Sequence, residues 1–322
     1  MIVESKANRP IPFEFFASFE RIEDGNPIIA LPPPLWAAAT HAIVVADTVH
    51  YYWSIRETDQ HGELWSLMHA TAPVKDPIDI TQDPRNPILA PSGDSFDNQA
   101  IEYPFPFLNP VDGKYYMYYR GKGRQTPEQT GLLVSEGDMG IWRRVRQTPV
   151  IPADMEHELD GSTHPSVAIE GELIHIVYTG KATESYDHGL TMCHATAPTS
   201  DPAAVTKNPA NPVFKGSGEA WDSWTVRETE LFKGPQYFHI LYGGYDGKTW
   251  RIGHIRTRDF LTYEANPYNP IFTPAEDSDA WDCDGVLTAQ IIEIGGTYYM
   301  LYAGRKGEEW QTGLAKTQMT RR

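Results

Sequence analysis

Glu102, Glu228, Asp160 and Asp284 are the residues of this chain best placed to move protons, and Arg227, His164, His41 and Tyr103 stand beside them at related positions of an internal repeat. A carboxylic acid that protonates a leaving oxygen and a second carboxylate that activates water or attacks carbon together break an acetal. Such a pair works with its carboxyls roughly 6.5–9.5 Å apart for inversion or roughly 5–5.5 Å apart for retention. Residues this distant in sequence meet only if the fold brings equivalent points of each repeat to one place. The chemistry therefore depends on the repeat.

An Asn-Pro-Ile/Val motif recurs at Asn26, Asn86, Thr148 (Thr in place of Asn), Asn211 and Asn269, at steps of 60, 62, 63 and 58 residues. After it comes an aromatic residue or His followed by an acid: Phe96-Asp97, His157-Glu158, Trp221-Asp222 and Trp281-Asp282. Next are Tyr-rich strands of the kind Gly113 to Gly121, echoed from Phe238 to Gly244 and from Tyr298 to Gly304. A third run opens on Gly-Leu at Gly131, Gly189 and Gly313. Short runs rich in Tyr, Val, Ile and Phe, punctuated by Gly, Pro, Asn and Asp, are strands joined by turns. The chain reads as all-β, with about four antiparallel strands per repeat. A four-stranded unit repeated near every 60 residues predicts a five-bladed β-propeller; a sandwich of duplicated hairpins is the competing architecture.

The last repeat stops after its third strand, while a candidate strand from Phe13 to Ile22 precedes the first motif. That strand is expected to complete the last blade, which removes two open sheet edges. The repeat fills residues 1–322 and leaves no linker, so a single domain is expected.

In a propeller the first strand of each blade lines the central channel, and its mouth is the expected pocket. Aligned on the Tyr-rich strands, Pro104, Pro165, Thr229 and Ala289 are equivalent, with His41 in the first blade. The residues just before them are Ala39 and Thr40, Glu102 and Tyr103, Thr163 and His164, Arg227 and Glu228, and Leu287 and Thr288. Two carboxylates, a His and an Arg facing one axis are costly to desolvate without a purpose or mutual pairing. The structural alternative is that Arg227 pairs with Glu102 or Glu228 to plug the channel. Asp160 and Asp284 lie five residues before the reference position, each followed by Gly, where Asp commonly caps a turn. Asp97, Asp222 and Asp282 obey the repeat and are read as architectural; a site residue is expected to break it.

The formal charge of −16, from 43 acids against 27 Lys and Arg, speaks against nucleic acid or an anionic membrane as partner. A small-molecule ligand is expected instead, and the oligomeric state is left open. Met1 to Pro12 is polar and carries no export signal, which predicts a cytoplasmic protein. Cys193 and Cys283 are too few for a disulfide framework or a thiolate zinc site and are expected to be buried thiols. The chain has no HExxH, EF-hand loop or Cys-x-x-Cys, so no metal or cofactor is expected, although the axis leaves room for one divalent cation held by Asp or His.

Through its blade rhythm and Gly-x-Tyr-Tyr-Met-x-Tyr strands, nearly the whole chain resembles the five-bladed propeller glycoside hydrolases, the group that includes families 43, 32, 68, 117 and 130. The resemblance implies a glycosidase acting on a small carbohydrate at the channel mouth. Family 43 typically carries Asp-Pro in blades one and three and Glu-Gly-Pro in blade four; here those places hold Thr40-His41, Thr163-His164-Pro165 and Arg227-Glu228-Thr229. An ordinary family 43 enzyme is not expected. The assignment that follows has Glu228 as general acid and Glu102 or Asp284 as base, with Asp160 in the second tier. His164, Tyr103, Arg227, His41 and Thr40 bind hydroxyls or tune the pair, and Trp224 forms a stacking wall. Trp36, Trp53, Trp65 and Trp310 are further candidates for sugar stacking. A phosphorylase with an Arg, Lys and His cluster, a sugar-binding propeller, and a lyase or cyclase are the alternatives.

Overall fold

The computed structural model describes residues 9–31, 37, 39–59, 62–93 and 95–318, and these are dominated by antiparallel β-sheet. Pairing sorts the strands into units of four. Unit one comprises His41–Val45, Thr48–Asp59, Gly62–Pro73 and Thr81–Gln82. Unit two comprises Ala100–Leu108, Tyr115–Lys122, Glu128–Ser135 and Arg143–Arg144. Unit three comprises Gly161–Glu170, Leu173–Lys181, Leu190–Pro198 and Thr206–Lys207. Unit four comprises Thr225–Lys233, Phe238–Tyr245, Trp250–Thr257 and Glu264–Ala265. The last unit joins Gly285–Ile294, Thr297–Lys306 and Glu309–Gln318 to the early strand Glu20–Arg21, with Glu20 opposite Lys316 and Arg21 opposite Ala315. Single parallel bridges, Trp65 to Ala100 and Gly161 to Glu128, link units one to three; among the described residues no sheet closes on itself.

The expected strand from Phe13 to Ile22 is realised only at Glu20–Arg21, because Phe13–Phe16 is a short helical turn. Phe15 and Phe16 are both buried. A strand with one wet face turns successive side chains to opposite sides, so two adjacent buried Phe are better served by a helical turn. Phe16 lies against the imidazole of His254, with centroids 3.8 Å apart.

The two repeated motifs have structural work. Asn86 receives the His69 amide on its Oδ1 at 2.8 Å and donates its own Nδ2 to the His69 carbonyl at 2.8 Å. Asn26, Asn211 and Asn269 do the same to Leu314, His194 and His254. The side-chain amide thus acts as one more strand residue on the third strand, which a residue lacking a paired donor and acceptor cannot do. The repeated acids are equally architectural. Tyr119, Tyr178, Tyr242 and Tyr302 donate their hydroxyls to Asp97 at 2.7 Å, Glu158 at 2.6 Å, Asp222 at 2.8 Å and Asp282 at 3.0 Å. Asp222 is fully buried and also accepts from the Ser217 amide at 2.7 Å. Asp222→Ala strands these donors and the Ser217 hydroxyl, which also donates to Asp222 at 2.9 Å, and the expected loss is about 3 kcal/mol of stability. It should appear as a lower urea midpoint at unchanged slope.

Three units also carry a stacked imidazole pair, His50 with His69, His175 with His194 and His239 with His254, each 3.0–3.2 Å apart. Burial holds the first member of unit one near pKa 4 and His194 and His239 near 3, so they stay neutral packing groups at pH 7.

Candidate active site

Each unit places one non-glycine residue with positive φ at its first strand, inside the strand at Tyr103 (50°), His164 (52°), Glu228 (51°) and Thr288 (48°) and just before it at Ala39 (54°) in unit one. In units two to five the ladder slips there, between Glu102 and Phe105, Thr163 and Ser166, Arg227 and Glu230, and Leu287 and Ala289. A β-bulge re-aims the side chain it carries, and holding a branched or bulky residue at positive φ costs on the order of 1–3 kcal/mol. The alignment read from sequence is correct for four units. In unit one it is one residue late: Ala39, not Thr40, matches Tyr103, so Thr40 and His41 follow the positive-φ residue.

The bulge residues meet. The Tyr103 hydroxyl donates to Glu228 Oε1 at 3.1 Å, the Thr288 hydroxyl donates to Glu228 Oε2, and the Tyr103 and His164 rings pack edge-on with centroids 3.8 Å apart. Arg227 Nη2 lies 2.7 Å from Glu228 Oε1. Glu228 is therefore pinned by three partners and buried, and its pairing with Arg227 is the one named in the structural alternative. His164 is buried with neither ring nitrogen hydrogen-bonded to a described residue. Its pKa sits well below the ordinary imidazole value, chiefly through burial and then through the charges of Arg227, Arg120 and Lys181. It is neutral at pH 7 and cannot serve as a standing cation.

Beside this cluster opens a cavity of about 500 Å³ whose wall includes Glu102, Tyr103 and Arg227 from the residues singled out by sequence. Glu102 pairs with Arg120, whose other nitrogen lies 2.6 Å from Glu128 and 2.7 Å from the Tyr186 hydroxyl. Lys181 reaches Glu128 at 3.1 Å and Asp160 at 2.6 Å. The two acids that share Arg120 are driven apart. Burial raises both, but Arg120, Lys181 and the Tyr186 hydroxyl together hold Glu128 at about 2. Glu102, paired with Arg120, with the Glu128 charge nearby and Lys122 as a weaker cation, is pushed up by burial to about 7. A carboxyl poised near neutral pH on the wall of a cavity is suited to give up a proton and take it back.

Other expected residues lie elsewhere. Asp160 is held by Lys181 off the cavity wall, and Asp284 is exposed and caps a turn by accepting from the Gly307 amide at 2.7 Å. Thr40 bonds to Thr312 at 2.6 Å and His41 contacts Glu230 at 2.5 Å, both in the interior. Trp224 is 54 % exposed and off the wall, Trp53 is core, and Trp36 lies outside the described residues. Trp65 and Trp310 do line the cavity, and Trp250, Tyr186, Asp187, Lys122 and Arg305 join them unforeseen. Two of these carried a signal: Lys122 and Arg305 share with Lys181 one register position, opposite the first residues of their units' leading strands. Cys193 is buried as expected, whereas Cys283 is only partly so, because its turn faces outward.

No family model matches the chain, and no curated protein matches it in sequence. Solved structures do match. A glycosyl hydrolase from Bacteroides ovatus superimposes with a TM-score of 0.71 at 16% identity, over 99% of this chain and 98% of that one. The chain shares the fold of solved glycoside hydrolases. A putative glycosidase from Bacteroides thetaiotaomicron gives 0.70 at 14% identity, over 97% and 100% of the two chains. A β-1,2-mannobiose phosphorylase from Listeria innocua, solved with β-1,2-mannobiose, gives 0.70 at 14% identity over 94% and 97%. At this identity the likeness speaks for the fold, and the resemblance to glycoside hydrolase propellers read from the strand rhythm is met in three dimensions.

Proposed function

We propose that this chain is a single-domain, five-bladed β-propeller that cleaves a glycosidic bond of a small oligosaccharide or glycoside in the cavity beside the converging first strands. In this reading the four-stranded units are the blades, and the pairing of Glu20–Arg21 with Glu309–Gln318 closes the ring. The observation that carries the function is Glu102, a buried carboxyl on the cavity wall raised to about 7. Protonated in a good part of the molecules at neutral pH, it is the general acid that delivers a proton to the leaving oxygen. Glu228 is the less suited acid, since Arg227, Tyr103 and Thr288 already engage its carboxylate. Asp187, on the same wall, is the carboxylate available to activate water. Trp65, Trp250 and Trp310 offer the flat apolar faces that sugar rings stack upon.

A second reading has an observation of its own. In a chain of formal charge −16, the cavity wall carries Arg56, Arg120, Lys122, Arg227 and Arg305. Guanidinium groups bind phosphate through paired N–H donors, and inorganic phosphate in the place of water makes the reaction a phosphorolysis. Initial rates on a panel of aryl glycosides and short oligosaccharides, with and without phosphate, separate the two. Turnover indifferent to phosphate supports the hydrolase, and turnover that rises from zero with phosphate supports the phosphorylase. Binding with no product in either buffer overturns both.

A further inference from the structure

Unit three breaks the architectural pattern at one spot, and at all three of its positions together. In units four and five the acid beneath the second-strand Tyr is preceded by Trp221 or Trp281, and the residue opposite that Tyr is Gly253 or Gly313. The glycine is obligatory there, because a Cβ on it would come within 2.3 Å of the Trp221 ring or 2.5 Å of the Trp281 ring. Unit two keeps the plan with Phe96, Asp97 and Gly131. Unit three has His157 for the aromatic, Glu158 for the Asp, and Cys193 opposite Tyr178 in place of Gly. The smaller imidazole frees the space that Trp fills elsewhere, and the thiol occupies it.

We propose that His157, Glu158 and Cys193 form a site for a thiophilic divalent cation of the Zn²⁺ class. The three potential ligand atoms lie within 4.8 Å of one another, and His157 Nε2 is 3.6 Å from Glu158 Oε1. Tetrahedral zinc, with bonds of roughly 2.0–2.3 Å, places its ligands roughly 3.3–3.8 Å apart, so small side-chain rotations suffice. His157 Nε2 is a buried nitrogen with no hydrogen-bond partner among the described residues. Glu158 is held from behind: Lys207 takes its Oε2, and the Tyr178 hydroxyl, itself bonded by Asn211 at 3.1 Å, steadies Oε1. Outer partners of this kind orient metal ligands. Binding deprotonates the Cys193 thiol and releases the proton to solvent, and a water takes the fourth coordination place; His157 is the one partly exposed member of the trio. The ion would tie the turn at Glu156–Glu158 to the third strand Leu190–Pro198, across the node that Trp packing secures in units four and five.

The test titrates the metal-stripped full chain with Co²⁺ and reads the sulfur-to-cobalt charge-transfer absorption in the near ultraviolet. One equivalent per chain is expected to give the band, and Zn²⁺ is expected to displace it and raise Tm. Cys193→Ser, close in size, should lose the band and at least tenfold in affinity. The double variant His157→Trp, Cys193→Gly restores the pattern that units four and five already accommodate; it should fold without responding to metal. Absence of the band in the parent chain, or a band that survives in Cys193→Ser, overturns the site and leaves the trio as a packing variant.

Discussion

Glu102→Gln is expected to lower kcat/KM by about 10²–10⁴-fold on substrates with poor leaving groups, the range that a positioned proton donor supplies. The loss should shrink on aryl glycosides whose leaving group departs without a proton. Glu102 acts as an acid only while protonated, and burial places its pKa at about 7. The parent rate should therefore fall as pH rises through about 7, and that limb should vanish in the variant, whose residual rate no longer depends on this group. Stability moves the same way. A folded-state pKa raised above the ordinary 4.5 makes the stabilising contribution fullest below that value and loses it as pH rises toward 7, a slope that Gln removes. Glu228→Gln is the control. An inactive Glu228→Gln beside an active Glu102→Gln would return the acid role to Glu228.

The strand rhythm was legible because the residues that mark it are structural necessities. An Asn whose amide must bridge to the third strand, a Tyr whose hydroxyl must find an acid, and a glycine under a Trp ring all recur because each unit meets the same packing problem. The bulge positions were legible in four units, at Tyr103, His164, Glu228 and Thr288, and the reading slipped by one in unit one. The helical turn at Phe13–Phe16 was missed because aromatic residues suit strands by propensity; burial of two neighbours overrode that preference. The cavity was the least legible part. Its wall draws on Trp250 from a third strand, Arg305 from a second strand, and Tyr186 and Asp187 from a loop, none of which shares the aligned position of Glu102. Sequence offered the Arg227–Glu228 pair only as one alternative and did not single out Glu102, paired with Arg120, as the carboxyl on the cavity wall. That outcome depends on where Arg227 and Arg120 point, which spacing does not encode.

Arg120→Met is expected to be among the most destabilising single changes at this site, at about 3–5 kcal/mol, because it leaves buried carboxylates without the cation they share. The damage should fall unequally. Glu128 keeps Lys181 and the Tyr186 hydroxyl, whereas Glu102 loses its ion-pair partner and keeps only the weaker influence of Lys122. A buried carboxyl without a cation escapes by taking up a proton, so its pKa should climb above about 7. With the folded-state value raised further, the deficit should be smallest near pH 5, where Glu102 is neutral anyway, and widen as pH rises toward 8. Urea unfolding at the two pH values measures this; an equal loss at both would mean that Arg120 matters for packing rather than charge. Adding Glu102→Gln to Arg120→Met removes the stranded charge and should recover part of the stability at pH 8, giving a coupling energy for the pair. Arg120→Lys keeps the charge but replaces a planar fork with a single ammonium, which cannot reach Glu102, Glu128 and Tyr186 together with the same geometry. It should hold Glu128 and release Glu102, shifting the alkaline limb of activity upward while the fold survives.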